Sequence, residues 1–228
     1  IPYIFSTLIN FILMVAISKL YDSGKIDEVK THLSYALRYF FALTIPFIFV
    51  LLILSEQLLM VFSRPEIAIE GYRISILIAI ANLFLGIYNV IRYILLITKK
   101  TKALTAIWLI SAPINLILNI LLIPLLGING AALSTVICYF ISMLIVSYFS
   151  FKEFSFNIDL LFIIKSIFAS IIMSLSICII KPQQELVHTL LIVVMGAAIY
   201  GLALFLLKGF NQKELILLKN LFIKRKLN

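Results

Sequence analysis

The sequence predicts an all-α fold, a polytopic membrane bundle of about seven transmembrane helices. The first reason is composition: 63% of the 228 residues are hydrophobic and only 13% are charged, whereas soluble domains average about 25% charged residues. The second is length, because the apolar residues gather in runs of roughly 20 residues, enough to cross a bilayer as helices. The third is periodicity, since the runs do not alternate between apolar and polar residues as the strands of a membrane barrel do.

Taken in order, the predicted spans share their length and their lack of charge, and together they form one transmembrane unit, residues 1–208. They cover roughly residues 1–18, 37–62, 71–97, 103–124, 129–150, 159–181 and 186–207. None of the connections is long enough to hold a soluble domain. The chain begins at Ile1, with no Met and no basic segment before its first apolar run. This start favours a piece of a longer protein over a signal peptide.

The connection between the fourth and fifth spans is the clearest turn signal. Pro124 is expected to end the fourth helix, and Gly127 and Gly130 to form a tight turn, because proline interrupts helices and glycine tolerates positive φ. The turn is uncharged and lies between apolar runs, which favours a position at a membrane surface. Small residues from Gly130 to Ser134 predict close packing of the fifth helix. A simple connecting loop is the alternative.

The distribution of charge predicts the orientation. Alternating the connections between two sides leaves only Arg64, Arg73 and Lys181 on one side, and the other 16 of the 19 Lys and Arg residues on the opposite side. Basic residues favour the cytoplasmic side, so the chain is expected to enter from outside and to finish in the cytoplasm. Residues 209–228 predict a basic amphipathic helix on anionic inner-leaflet lipid. A disordered tail is the alternative.

A polar stripe lies inside the third predicted span. Ser75, Asn82, Gly86, Asn89 and Tyr93 fall on one helical face at about 100° per residue. Polar side chains in a membrane face the bundle or a wet cavity, because exposure to lipid is costly. The stripe is interpreted as the lining of a hydrophilic path. Hydrogen bonding between helices is the alternative.

The fourth predicted span carries a second stripe. Trp108, Ser111, Asn115 and Asn119 share one face, and Pro113 is available as a kink. The same two interpretations apply: a path lining, or hydrogen bonds that join neighbouring helices.

Arg92 is the sharpest single candidate inside a span. Its planar guanidinium suits bidentate binding of a pyrophosphate. Snorkelling to the cytoplasmic surface is the more common role of such an arginine. Glu56, near the outer end of the second span, is interpreted as an interfacial carboxylate, with coupling to protons or a cation as its alternative.

The sequence disfavours an enzyme and predicts no cofactor or metal. His32 and His188 have no carboxylates at ligand spacing, and the sequence contains no glycine-rich phosphate loop or nucleophile elbow. Cys138 and Cys178 fall in different spans at different depths, which disfavours a disulfide. The formal net charge of +9 is explained by topology, so no nucleic-acid partner is predicted.

Several stretches resemble one transporter family. These are the hairpin at residues 124–132, the paired Asn115 and Asn119, and the segments 18–25 and 154–159. They are similar to the C-terminal half of the polysaccharide transporter family, which includes the O-antigen (lipid-linked oligosaccharide) flippases. Its superfamily also holds the multidrug and toxin extruders and the lipid II flippases.

The resemblance implies one lobe of a two-lobe transporter in the bacterial inner membrane. Alternating access between the lobes would flip an undecaprenyl-pyrophosphate-linked oligosaccharide for surface polysaccharide synthesis. The implied partners are that lipid, membrane lipids and a missing N-terminal lobe. The path candidates are Asn82, Asn89, Arg92, Tyr93, Asn115 and Asn119. Multidrug extrusion is the runner-up, and a membrane enzyme or a scaffold without transport are the other classes.

Overall fold

A computed structural model describes residues 17–180 and 186–209, and every structural statement concerns those residues. The described backbone begins with a helix end at residues 17–22. Seven helices follow: α1 Ile26–Phe62, α2 Pro65–Ile91, α3 Tyr93–Ile97, α4 Thr101–Leu126, α5 Ile128–Phe151, α6 Leu160–Ile180 and α7 Leu186–Leu206. Six helical stretches there are long and apolar enough to cross a membrane, with α3 continuing the span of α2. The predicted all-α polytopic fold is therefore confirmed, although most of the first predicted span and the tail 210–228 lie outside the described residues.

The connections define two ends of the bundle. The hairpin end contains the turn at residues 63–64 and the residue Gly127. The loop end is made of the remaining described connections, which are residues 23–25, 98–100, 152–159 and 207–209. Successive long helices run between these ends in alternating directions.

The helices pack in a row rather than around a single axis. Contacts among α1–α7 follow the order α4–α5–α2–α1–α6–α7, and α7 also touches α1. Phe40, Leu54, Tyr88, Ile94 and Met173 are among the most completely buried side chains. Long apolar faces of α4, α6 and α7 stay exposed, as expected for surfaces that face lipid. Helix α1 is therefore the junction between the α2–α5 group and the α6–α7 pair.

The helix of the second span starts earlier than the sequence predicted. That helix was expected from residue 37, but α1 begins at Ile26 and has 37 residues. Residues 26–36 are helical because charged residues disfavour burial in the membrane core but do not prevent helix formation. Asp27 and Glu28 lie in the first turn of α1, where acidic residues favour the helix dipole. At 1.5 Å per residue, α1 is about 55 Å long, longer than a bilayer core.

The third predicted span, residues 71–97, agrees with the apolar stretch Gly71–Ile97 that is long enough to cross a membrane. The helix that carries it starts earlier, with Pro65 in its first turn, where proline is well tolerated. It is interrupted at Arg92, which separates α2 from α3. Arg92 keeps a helical conformation and donates its backbone N–H to the carbonyl of Tyr88 at 2.9 Å, so the interruption is mild.

The predicted end of the fourth helix at Pro124 is wrong. Pro124 lies inside α4, which continues to Leu126. The connection is the single residue Gly127, whose φ of 59° favours glycine and ends the helix. Gly130 has a different role from the one expected, because it lies inside α5. A β-carbon there would come within 2.2 Å of the carbonyl oxygen of Leu122, so glycine allows the two helices to approach.

Candidate substrate path and arginine cluster

Arg92 lies beside a group of aromatic residues near the loop end. The guanidinium carbon of Arg92 lies 5.9 Å from the ring centroid of Tyr93. One turn earlier, Tyr88 is only 2% exposed, and its ring meets that of Trp108 on α4 edge to face, with centroids 5.9 Å apart. We call Tyr88, Arg92, Tyr93 and Trp108 the arginine cluster. It joins the end of α2 to the start of α4.

Two polar atoms of the arginine cluster are buried without a hydrogen-bond partner among the described residues. They are the hydroxyl oxygen of Tyr88 and Nε of Arg92. Each such atom costs about 1–3 kcal/mol unless water or a ligand satisfies it. The two residues are four apart on one helix and therefore share a face. Since both groups donate hydrogen bonds, an oxygen-rich anion suits them.

The stripe on the third span is divided between an exposed part and a packed part. Asn82 is half-buried, donates from Nδ2 to the carbonyl of Ile78 at 2.8 Å, and lies beside the 38% exposed Ile78. Asn89 is also half-buried. Gly86, in contrast, packs against α1, because a β-carbon there would lie 1.9 Å from the ring of Phe40. Asn82 and Asn89, together with the half-buried Ser75, are thus the members of this stripe that reach a partly open surface, whereas Tyr93 is 4% exposed.

The stripe on the fourth span forms hydrogen bonds along the seam between α4 and α5. The hydroxyls of Ser111 and Ser142 are 2.7 Å apart. Asn119 donates to Oδ1 of Asn115 at 3.0 Å, and Ser134 donates to Oδ1 of Asn119 at 2.6 Å. The two bonds that involve serines of α5 join the neighbouring helices, and the bond between the asparagines lies within α4, so Asn115 and Asn119 have structural partners whatever else they contact.

Sequence reasoning missed several of these partners. Tyr88 and Trp108 were not linked to Arg92, although Tyr88 stands four residues before it.

The partners on α5 belong to a buried row of mostly small residues at intervals of four. That row consists of Gly130, Ser134, Cys138, Ser142, Val146 and Ser150. The interval was a readable signal for the packed face of α5.

A second arginine, Arg38, anchors the loop end. It is 7% exposed, lies 3.5 Å from Asp159 and donates to the carbonyl of Gly209. Its guanidinium carbon is also 4.5 Å from the ring centroid of Phe162. Arg38 therefore ties α1 to the start of α6 and to the third residue after α7. In the sequence, Arg38 is only one of the 16 basic residues on the predicted cytoplasmic side.

The described residues contain no group of three His, Cys, Asp or Glu side chains placed to hold a metal ion. Cys138 is buried on α5, and Cys178 is exposed on α6; both are free thiols.

Comparisons with known proteins address the class of the chain. The MatE family model matches residues 1–121, which is just over half of the sequence. A solved structure titled "Lipid II flippase MurJ, inward closed conformation" superposes with a TM-score of 0.74 at 24% identity. The match covers 89% of this chain and 43% of that one, so the chain spans less than half the length of the solved protein. No curated protein sequence gives a significant match.

Proposed function

Because the chain belongs to the MatE family, we propose that it forms one lobe of a membrane transporter for a lipid-linked oligosaccharide. Residues 1–208 would be the transmembrane lobe and residues 209–228 a basic tail on the membrane surface. The fold is similar to that of a lipid flippase, which supports a lipid-linked cargo. We further propose the bacterial inner membrane as its location and O-antigen or related surface polysaccharide synthesis as its process.

The arginine cluster is the observation that supports a pyrophosphate-bearing cargo. Nε of Arg92 and the hydroxyl of Tyr88 are buried donors with no partner among the described residues. A pyrophosphate supplies several acceptor oxygens, and arginine binds phosphate through paired N–H groups. Asn82 and Asn89 would offer hydrogen bonds to sugar hydroxyls along the partly open face of α2. Asn115 and Asn119 would join the path only by exchanging the bonds they make within the bundle.

A second lobe completes the proposal. The chain matches only 43% of the solved flippase, and alternating access needs a cavity that two bodies enclose. We therefore propose an N-terminal lobe as the principal partner. The charge distribution supports an orientation with the loop end in the cytoplasm, so Arg92 would meet the cargo on its cytoplasmic side.

The test is complementation of surface polysaccharide in a strain that lacks the encoding gene. Arg92→Gln should reduce the polysaccharide at least about tenfold, because losing hydrogen bonds to a charged group costs about 1.5–3 kcal/mol. Arg92→Lys should fall between Gln and wild type, since lysine keeps the charge but lacks the planar fork. Tyr88→Phe should weaken transport with little loss of protein, because the hydroxyl hydrogen of Tyr88 has no acceptor among the described residues.

Arg64→Gln is the matched control, because Arg64 is an exposed arginine at the opposite end of α2. Membrane levels of every variant are measured in parallel. If Arg92→Gln restores the wild-type amount of surface polysaccharide at a normal protein level, the arginine cluster is not part of the transport path.

Extrusion of a small amphiphilic cation is the second candidate, and one observation favours it. Such a path needs a carboxylate, and Glu56 is exposed on α1, two turns from the hairpin end. Glu56→Gln should then raise drug susceptibility and leave surface polysaccharide unchanged. Reduced surface polysaccharide with unchanged drug susceptibility, and drug resistance that does not depend on the protein, would favour the flippase.

A further inference from the structure

A separate cavity lies at the hairpin end, away from the arginine cluster. Its volume is about 440 Å³, within the range of small-molecule sites. It opens between the third and fourth turns of α2 and the α4–α5 hairpin. The lining combines four aliphatic side chains with two polar ones: Ile76, Leu77, Leu126, Leu133, Arg73 and Asn129.

The two polar residues have complementary hydrogen-bonding needs. Arg73 is exposed, and its Nε is held by the hydroxyl of the neighbouring Tyr72 at 2.9 Å, which orients the rest of the guanidinium. Asn129 supplies a hydrogen-bond acceptor instead, because its Oδ1 is buried and accepts no hydrogen bond from the described residues. The cavity therefore offers a cationic donor for an anion, an acceptor that requires a donor, and an apolar wall.

We propose that this cavity binds the head and upper acyl chain of a phospholipid whose headgroup carries an N–H or O–H donor, such as phosphatidylethanolamine. The phosphate pairs with Arg73, the headgroup donor satisfies Oδ1 of Asn129, and the acyl chain lies on the aliphatic wall. The cavity lies near the hairpin-end limit of the apolar stretch Gly71–Ile97, which supports a position at the depth of lipid headgroups. Free phosphate fits less well, because it leaves the aliphatic wall uncovered.

This site is independent of the transported cargo. It is at the opposite end of α2 from Arg92, 19 residues or about 28 Å away along a helix. The lipid would fill the gap between α2 and the hairpin, as a bound structural lipid of that leaflet.

Native mass spectrometry of the full 228-residue chain tests the proposal. Three lipids with the same acyl chains are titrated: phosphatidylethanolamine, phosphatidylcholine, which has no N–H donor, and diacylglycerol, which has no phosphate. Phosphatidylethanolamine should bind most tightly. Arg73→Gln should weaken its binding about tenfold, and Asn129→Leu should abolish the preference over phosphatidylcholine.

Arg64→Gln is the matched control, an exposed arginine at the same end but outside the cavity lining, and should bind as the wild type does. Leu77→Trp fills the cavity while leaving both polar residues in place, and it should also weaken binding. Equal binding of the three lipids, equal effects of Arg73→Gln and Arg64→Gln, or displacement by millimolar inorganic phosphate would each overturn the proposal. Wild-type polysaccharide synthesis in Arg73→Gln would leave it intact, because the site does not serve transport.

Discussion

Replacing Gly130 with alanine is the most direct test of how α4 and α5 pack. A β-carbon at this position would lie 2.2 Å from the carbonyl oxygen of Leu122, 2.5 Å from its carbon and 2.9 Å from the nitrogen of Ile123. Ordinary contacts of a β-carbon begin near 3.4 Å, so the two backbones must separate by about 1 Å. All three opposing atoms belong to the backbone, and no change of rotamer relieves the contact.

The expected change in the free energy of unfolding combines two losses with one gain. Overpacking of this kind costs about 1–3 kcal/mol. A separation of about 1 Å also stretches the 2.6 Å bond from Ser134 to Asn119 beyond bonding distance, with a loss of about 0.6 kcal/mol. Alanine returns about 1 kcal/mol through its higher helix propensity. The net expectation for Gly130→Ala is a loss of stability of about 1–2 kcal/mol, since the backbone contact cannot relax locally.

Gly201 on α7 supplies the matched control. A β-carbon there meets no atom within 4 Å, so Gly201→Ala should keep the propensity gain of up to about 1 kcal/mol. The measurement is reversible unfolding of the purified chain in micelles. Equal stability of the two variants, or a more stable Gly130→Ala, would refute the close approach of α4 and α5.

Three further expectations concern other parts of the chain. Arg38→Gln should lower the free energy of unfolding by about 2 kcal/mol, because it leaves Asp159 without its partner; unchanged thermal unfolding would contradict the anchoring role. A cysteine at Thr101 should be protected from an impermeant thiol reagent in intact cells while one at Ser63 is labelled, and the reverse pattern would invert the proposed orientation. Asn82→Leu should block polysaccharide complementation at normal protein level, because leucine removes hydrogen-bonding capacity from the partly open face of α2; full complementation would assign Asn82 to packing.

The transmembrane helices were predictable because an apolar run of about 20 residues has few other solutions. Their ends were less predictable, because the signals used were charge and proline. Helix α1 continues through the charged residues Asp27 and Glu28, and α4 continues past Pro124. The charge and hydropathy of the residues constrain where a membrane span ends, whereas backbone conformation decides where a helix ends. At Gly127 the helix ends because of its positive φ, with no charged residue nearby.

The candidate site was predictable as a set of polar positions and not as a set of partners. The spacing of Ser111, Asn115 and Asn119 identified one face of α4, but their bonds depend on the vertical register of α5 against α4. One sequence contains no information on that register beyond the small residue at Gly130. Similarly, the spacing of Tyr88 and Arg92 was visible, but the approach of Trp108 across the bundle was not.

The position of α1 as a junction has a consequence for biosynthesis. Among α1–α7, the last two helices touch only α1 and each other, so the α1–α5 portion can assemble while α6 and α7 are still in the ribosome. Until they emerge, one flank of α1 faces lipid or the translocon, and Arg38 lacks Asp159 and the carbonyl of Gly209. During that interval the Arg38 side chain lacks the cover of α6 and of the segment after α7, which together leave it only 7% exposed in the assembled bundle.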